Sequence, residues 1–140
     1  MAINSNNISL ELAHRLTDVV NAAWENGEML EKVTPTTASL LNYWFGDGFC
    51  SQRERNFHQG QRQAILNIIY LHEVLGETGV MDAYEGVIPE LMDRADLAQP
   101  AKPKYQFPKY AVKMATGTGK TWGCSTVVLW AEQNWNTSQD

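Results

Sequence analysis

Hydrophobic residues in the first 75 positions recur at spacings of three and four, which is the pattern of an amphipathic helix. The first predicted helix begins at Ser9, whose side chain can cap a helix. It ends at Asn26-Gly27, because this pair favours a helix stop. Its apolar stripe consists of Leu12, Leu16, Val19, Val20 and Ala23.

Two more helices are predicted before residue 76. Thr34-Pro35 starts the second, with threonine as the cap and proline at the first helical position, and Gly46 ends it. The third runs from about His58 to Leu75. Their apolar positions are Ala38, Leu41, Trp44 and Phe45 in the second helix and Ala64, Ile65, Ile68, Ile69, His72 and Leu75 in the third. Residues 46–56, which lie between the two, are predicted to form a polar loop.

The pattern changes after residue 76. A short helix is predicted over Pro89–Ala98, followed by a linker, because three prolines lie between residues 100 and 108. Tyr110–Met114 is predicted to be a short buried strand. Residues 122–135 are apolar on most faces, which favours a helix packed into the interior. The expected unit is therefore strand, glycine loop and helix.

Composition narrows the class of protein. A chain of 140 residues with 44% hydrophobic and 19% charged residues is predicted to fold as one globular domain. It contains no apolar run of 18 residues, and its first residues lack the pattern of a secretory signal, so a membrane protein is not expected. Cys50 and Cys124 form no CxxC motif. We therefore expect a reduced, cytoplasmic protein.

Charge is distributed unevenly along the chain. The net charge is −5, yet the stretch after residue 100 carries five lysines and only two acidic residues, Glu132 and Asp140. This stretch can attract phosphate, although five lysines are equally typical of a solvated surface.

The most informative motif is Gly117-Thr118-Gly119-Lys120-Thr121. A phosphate-binding loop needs glycines that let backbone N–H groups point at oxygens, a lysine for the β- and γ-phosphates, and an adjacent hydroxyl for Mg²⁺. All three are present here. The alternative is a plain glycine turn at the start of a helix. A dinucleotide-binding G-x-G-x-x-G motif is excluded, because Trp122 occupies its last position.

Residues 113–121, KMATGTGKT, resemble motif I of superfamily two helicases and translocases, and are most similar to the ATPase (Res) subunit of type III restriction enzymes. Ala115 departs from the acidic residue usual in those subunits, so type III and other Res-like proteins both remain open. The resemblance implies that ATP and Mg²⁺ are the cofactors. By it, the amides of Gly117, Thr118, Gly119 and Lys120 surround phosphate oxygens, and Thr121 is the metal ligand.

A second segment, residues 57–65, is similar to the adenine-binding segment of that family, a glutamine followed by Ala-Ile near a helix start. The resemblance implies that Gln61 contacts adenine, since an amide offers a donor and an acceptor together. The alternative is an ordinary helix residue. Gln61 and Lys120 are 59 positions apart, which implies that residues 76–109 are an insertion or linker.

The fold class implied by the resemblance is α/β. A predominantly helical region, 1–56, would lead into the start of a RecA-like ATPase domain, 57–140. Within that domain, residues 57–75 form the adenine-motif helix and residues 110–135 form the first strand, P-loop and helix of an incomplete sheet. An apolar strand without a sheet partner would also favour self-association.

The function implied is the ATP-binding segment of an ATP-dependent, DNA-acting helicase, translocase or restriction subunit. No acidic Mg²⁺-binding box follows Thr121, so the segment lacks the hydrolytic half, contains no catalytic residue and is expected to be inactive alone. DNA would be a partner through the parent protein, and a modification or specificity subunit a second partner. The alternative function is a helical protein-interaction module with a vestigial P-loop, whose exposed tryptophans contact a partner.

Overall fold

The computed structural model describes residues 8–76, 85–91 and 120–138. Within these ranges the elements are helical. They are α1 (Ile8–Glu25), α2 (Glu28–Lys32), α3 (Pro35–Phe45), α4 (Asp47–Cys50), α5 (Gln59–Ile69), a π-helical segment (Tyr70–Val74), a 3₁₀ turn (Pro89–Leu91) and α6 (Lys120–Ser138).

The predicted α/β fold class is wrong for the part of the chain that the structure describes, which contains helices and no strand. The physical reason is visible in the sequence itself. The apolar spacing up to residue 76 is helical throughout. The apolar pattern predicts one strand, and the sheet around that strand was implied only by the resemblance. That strand, Tyr110–Met114, lies outside the described residues, as does the proline linker. Of the predicted helix Pro89–Ala98, the described part is the 3₁₀ turn Pro89–Leu91.

Local capping explains the first helix boundaries. Gly27 follows α1 with φ +81°, a left-handed conformation that glycine adopts at little cost, so the predicted stop is confirmed. Thr34 is the N-cap of α3, where its Oγ1 accepts a hydrogen bond from the Thr37 N–H at 3.1 Å. Pro35 occupies the first helical position, as predicted. α2 was not predicted, because five residues directly after a glycine stop carry too little periodicity.

The third predicted helix divides into two parts. α5 begins after the cap residue His58, and its regular turns end at Ile69. The next five residues form a π-helical turn, in which the Leu75 N–H donates to the carbonyl of Tyr70 at 3.0 Å. Gly76 then has φ +65°. π-helical turns are rare, and they occur mostly as single turns within or at the end of α-helices.

The predicted loop 46–56 contains structure. α4 follows Gly46, where an added Cβ would lie 2.5 Å from the carbonyl oxygen of Asn42, so this position accepts only glycine without a backbone shift. The Arg53 guanidinium donates to the carbonyls of Tyr43 and Trp44 at the end of α3. Side-chain donors of this kind satisfy the last carbonyls of a helix, and here they join the loop to α3.

A single cluster of buried side chains forms the core, and it draws on both predicted regions, 1–56 and 57–140. α6 packs against α3 and α5, and α5 also packs against α1. The prediction that α6 is buried on most faces is wrong. Trp130 is 6% exposed, but Val128 and Trp135 are 65% and 66% exposed. The core residues are Leu16, Val20, Ala23, Met29, Val33, Leu41, Trp44, Phe45, Ile65, Leu66, Ile69, Tyr70 and Trp130.

Candidate functional site

Lys120 and Thr121 are the first two residues of α6, a helix of 19 residues. Gly117, Thr118 and Gly119 lie outside the described residues. A helix N-terminus carries unpaired N–H groups and the positive end of the helix dipole, and both favour an anion at this point. The lysine of the motif therefore stands where a phosphate-binding loop would place it, at the entry to a helix.

An aromatic stack connects the two segments that the resemblance singled out. Phe57 precedes α5 and Trp122 lies in the first turn of α6; their ring centroids are 4.8 Å apart with an interplanar angle of 24°. Phe57 is in turn 5.4 Å from Phe45 and 6.5 Å from Trp44, both core residues. The start of α5 and the start of α6 are thus adjacent, although they are about 60 positions apart in sequence. Sequence analysis did not single out this pair.

Gln61 lies in the first turn of α5, near this contact between helix starts, but it is only 1% exposed. Its Oε1 accepts a hydrogen bond from the backbone N–H of His58 at 2.9 Å. This contact is half of a capping box, in which the third helical residue satisfies the N–H of the cap residue. In this arrangement the amide serves the start of α5, and its contact with adenine stays a prediction.

A polar network joins three elements around Glu73, which belongs to the π-helical turn. One carboxylate oxygen accepts from the Thr34 N–H at 2.9 Å, and the other accepts from the Thr37 hydroxyl and from the Trp130 indole N–H, the latter at 2.6 Å. Thr37 is fully buried. A buried donor without a partner costs about 1–3 kcal/mol, so the carboxylate matters most for the buried Thr37 hydroxyl and the Trp130 indole, which is 6% exposed.

Asn134 extends the network along α6. Its Nδ2 donates to the Thr37 hydroxyl oxygen at 2.9 Å, and its Oδ1 accepts from the Thr34 hydroxyl at 2.6 Å. Trp130 and Asn134 are four positions apart and therefore face the same side of the helix. The network fixes α6 against the N-terminus of α3, and with it the position of Lys120. No local signal predicts it, because its members are distant in sequence.

Two arginines have structural partners. Arg62 lies over the rings of Trp24 and Phe45, with its guanidinium carbon 5.4 Å and 5.9 Å from the ring centroids. Arg53 lies 5.0 Å over the ring of Tyr43 while it binds the end of α3. Both cations therefore stabilise aromatic surfaces of the helical cluster.

Searches of the described residues add two further findings. No group of three or more His, Cys, Asp or Glu side chains in these ranges is arranged to hold a metal ion. None of the helices within them is long and apolar enough to cross a membrane.

The chain was compared with known proteins in three ways. No protein-family model matches it, and neither the curated proteins nor the solved structures include a significant match. Functional inference therefore depends on the motif, its position at the start of α6 and the side chains around it.

Proposed function

We propose that this chain is the ATP-binding segment of an ATP-dependent, DNA-acting protein of the Res-like helicase, translocase or restriction-subunit type. The observation that carries the proposal is the sequence GTGKT ending in the first two residues of a 19-residue helix. Amides at the helix start would bind phosphate oxygens, Lys120 would neutralise the β- and γ-phosphates, and Thr121 would bind Mg²⁺.

The remaining parts of the proposal rest on resemblance. DNA and a modification or specificity subunit are proposed as partners from the similarity of residues 57–65 and 113–121 to the family segments. The proposed cytoplasmic location depends instead on cysteine usage, since Cys50 and Cys124 form no CxxC motif. The adjacency of the α5 and α6 starts supports a shared site for these two segments.

Calorimetric titration with Mg-ATP tests the phosphate site. Lys120→Ala removes the proposed phosphate cation and is expected to weaken binding at least tenfold, which corresponds to about 1.4 kcal/mol. The matched control is Lys32→Ala, which removes an exposed lysine on α2 that pairs with Glu28. Equal affinities for the wild type and the Lys120 variant would refute the assignment of the loop.

One observation favours the alternative function, a helical interaction module. Cys124, Val128, Ala131 and Trp135 are all exposed and follow one another at spacings of four, three and four along α6. This is the spacing of a helix–helix seam. We infer that its occupant is a second copy of this chain, in antiparallel orientation. That alignment places Cys124 opposite Trp135 and Val128 opposite Ala131, so each larger side chain meets a smaller one.

The seam predicts a weak dimer, because four side chains cannot supply the roughly 800 Å² per partner of a stable interface. Sedimentation velocity over a concentration series should show dimers that Trp135→Lys abolishes and that Asn136→Lys, at the neighbouring exposed position, leaves largely intact. In the antiparallel dimer, Trp135→Cys should form a disulfide with Cys124 of the second copy. A protein that remains monomeric at all concentrations would exclude this alternative, and Mg-ATP should not alter the association.

A further inference from the structure

The proposed phosphate site leaves one question open, namely which group contacts the base of the nucleotide. Gln61, the residue suggested by resemblance, is 1% exposed, and its carbonyl oxygen accepts the His58 N–H. A base could reach this amide only if the start of α5 were rearranged. A contact that needs no rearrangement is therefore favoured.

Trp122 is exposed enough to make a contact of that kind. Its side chain is 50% exposed, although the indole stacks on Phe57 at a centroid distance of 4.8 Å. Trp122 follows Lys120 by two residues, within the first turn of α6. Side chains in a helix lean toward its N-terminus, so the indole lies over the same end of α6 as Lys120, which directly follows the glycine loop in the sequence.

The indole is also held in place before any ligand binds. Phe57 lies against Phe45, which is 7% exposed, and against Trp44, which is 6% exposed. Trp122 stacks on Phe57, and Phe57 makes an edge-to-face contact with Phe45, so the aromatic contacts run from solvent into the core. A platform that is already ordered loses less side-chain entropy when a ligand binds to it.

We propose that the base of the bound nucleotide stacks on the exposed surface of Trp122, so that the site binds nucleoside triphosphates by stacking rather than by hydrogen bonds from Gln61. This inference rests on the proposed phosphate site and adds to it the mode of base recognition. Stacking on an aromatic ring tolerates every base, since all bases have a π-face. ATP and GTP are therefore expected to bind with similar affinity.

The test compares three ligands, Mg-ATP, Mg-GTP and Mg-tripolyphosphate, on four forms of the protein: wild type, Trp122→Ala, Trp122→Phe and the control Trp135→Ala. Tripolyphosphate contains the phosphate chain without a base. Trp122→Ala should weaken both nucleotides roughly 5- to 150-fold, the range found for loss of one base–aromatic stack, and leave tripolyphosphate unchanged. Trp122→Phe should restore most of the affinity, and Trp135→Ala, near the far end of the same helix, should have no effect.

Tryptophan fluorescence gives a second measurement. Nucleotide, but not tripolyphosphate, should quench the wild-type emission, and this quenching should disappear in Trp122→Phe. Retained tripolyphosphate binding by Trp122→Ala shows that this variant is folded.

The two proposals fail in different ways. Unchanged nucleotide affinity in Trp122→Ala, or an ATP preference over GTP of more than tenfold, would overturn base stacking while the phosphate site stands. Absence of binding of all three ligands to the wild type would overturn the phosphate site and base stacking together.

Discussion

Replacement of Glu73 by alanine should lower the free energy of unfolding by more than is usual for a side chain that is only partly buried. The carboxylate accepts three hydrogen bonds, from the Thr34 N–H, the Thr37 hydroxyl and the Trp130 indole N–H. Of these donors, Thr37 is 0% and Trp130 is 6% exposed, so water cannot replace the lost acceptor at either one.

The size of the effect follows from these partners. A buried donor that loses its acceptor costs about 1–3 kcal/mol, whereas an exposed one such as the Thr34 N–H costs less because water replaces the acceptor. The indole keeps a second acceptor, the Thr37 Oγ1 at 3.0 Å, which reduces its loss. We therefore expect Glu73→Ala to lower the free energy of unfolding by about 2–4 kcal/mol, a large part of the 5–15 kcal/mol typical of small proteins.

Urea unfolding followed by far-UV circular dichroism measures this change, since the signal does not depend on tryptophan. The matched control is Glu31→Ala, an exposed glutamate on α2, which should change stability by less than about 0.5 kcal/mol. The double variant Glu73→Ala/Trp130→Phe should show a coupling energy of about 0.5–3 kcal/mol, because the two groups share a hydrogen bond. A Glu73 variant as stable as the control, or zero coupling, would refute the role of the network.

Two further predictions use other parts of the fold. Substitution of glycine by alanine should have opposite effects on stability at two positions. Gly46→Ala should destabilise the protein, because its Cβ would collide with the backbone of Asn42. Gly123→Ala should stabilise α6 by up to about 1 kcal/mol, because the space around that position is open. Thermal melts of both variants decide this, and equal signs would contradict it. Burial raises the pKa of Tyr70 above the ordinary tyrosine value of about 10. The protonated side chain therefore contributes fully to stability below pH 10, and this contribution is lost as the pH rises through the raised pKa. Tyr70→Phe should flatten the stability profile above pH 10 in urea titrations, and an unchanged profile would count against this cause.

The parts of the fold that sequence predicted well are those that local chemistry determines. Thr34 and Pro35 place the start of α3 correctly, because capping involves only residues within one turn. Gly27 ends α1, since few other residues adopt its positive φ. Short helices such as α4 were missed because four residues do not complete enough turns to show a period.

Long-range features could not be predicted in this way. Glu73 and Trp130 are 57 positions apart, and nothing in either neighbourhood indicates that a carboxylate and an indole will meet. Gln61 was difficult to interpret for a different reason, because a glutamine at this position can either contact adenine or cap a helix. The glutamine that resembles an adenine contact also stands three positions after His58, where a glutamine completes a capping box. The structure shows that the amide makes the capping contact.

The α/β prediction was wrong for a related reason. A glycine–lysine motif describes a loop and the first turn of a helix, and it says nothing about the elements that surround them. In the described residues the helix that begins at Lys120 packs on α3 and α5, with Trp130 and Asn134 as its polar anchors. Within the described residues, the helix that begins at Lys120 is therefore held by other helices.

The central claim, that residues 117–121 form a phosphate site, is tested most directly by backbone amide NMR of the ¹⁵N-labelled protein during titration with Mg-ATP. Saturable shift changes are expected at the indole N–H of Trp122 and at the backbone amides of the loop, while the amides of α1 remain unchanged. The loop amides are those of Gly117, Thr118, Gly119, Lys120 and Thr121. Lys120→Ala should remove these changes. Unaltered spectra at millimolar Mg-ATP, or changes located elsewhere in the chain, would contradict the claim.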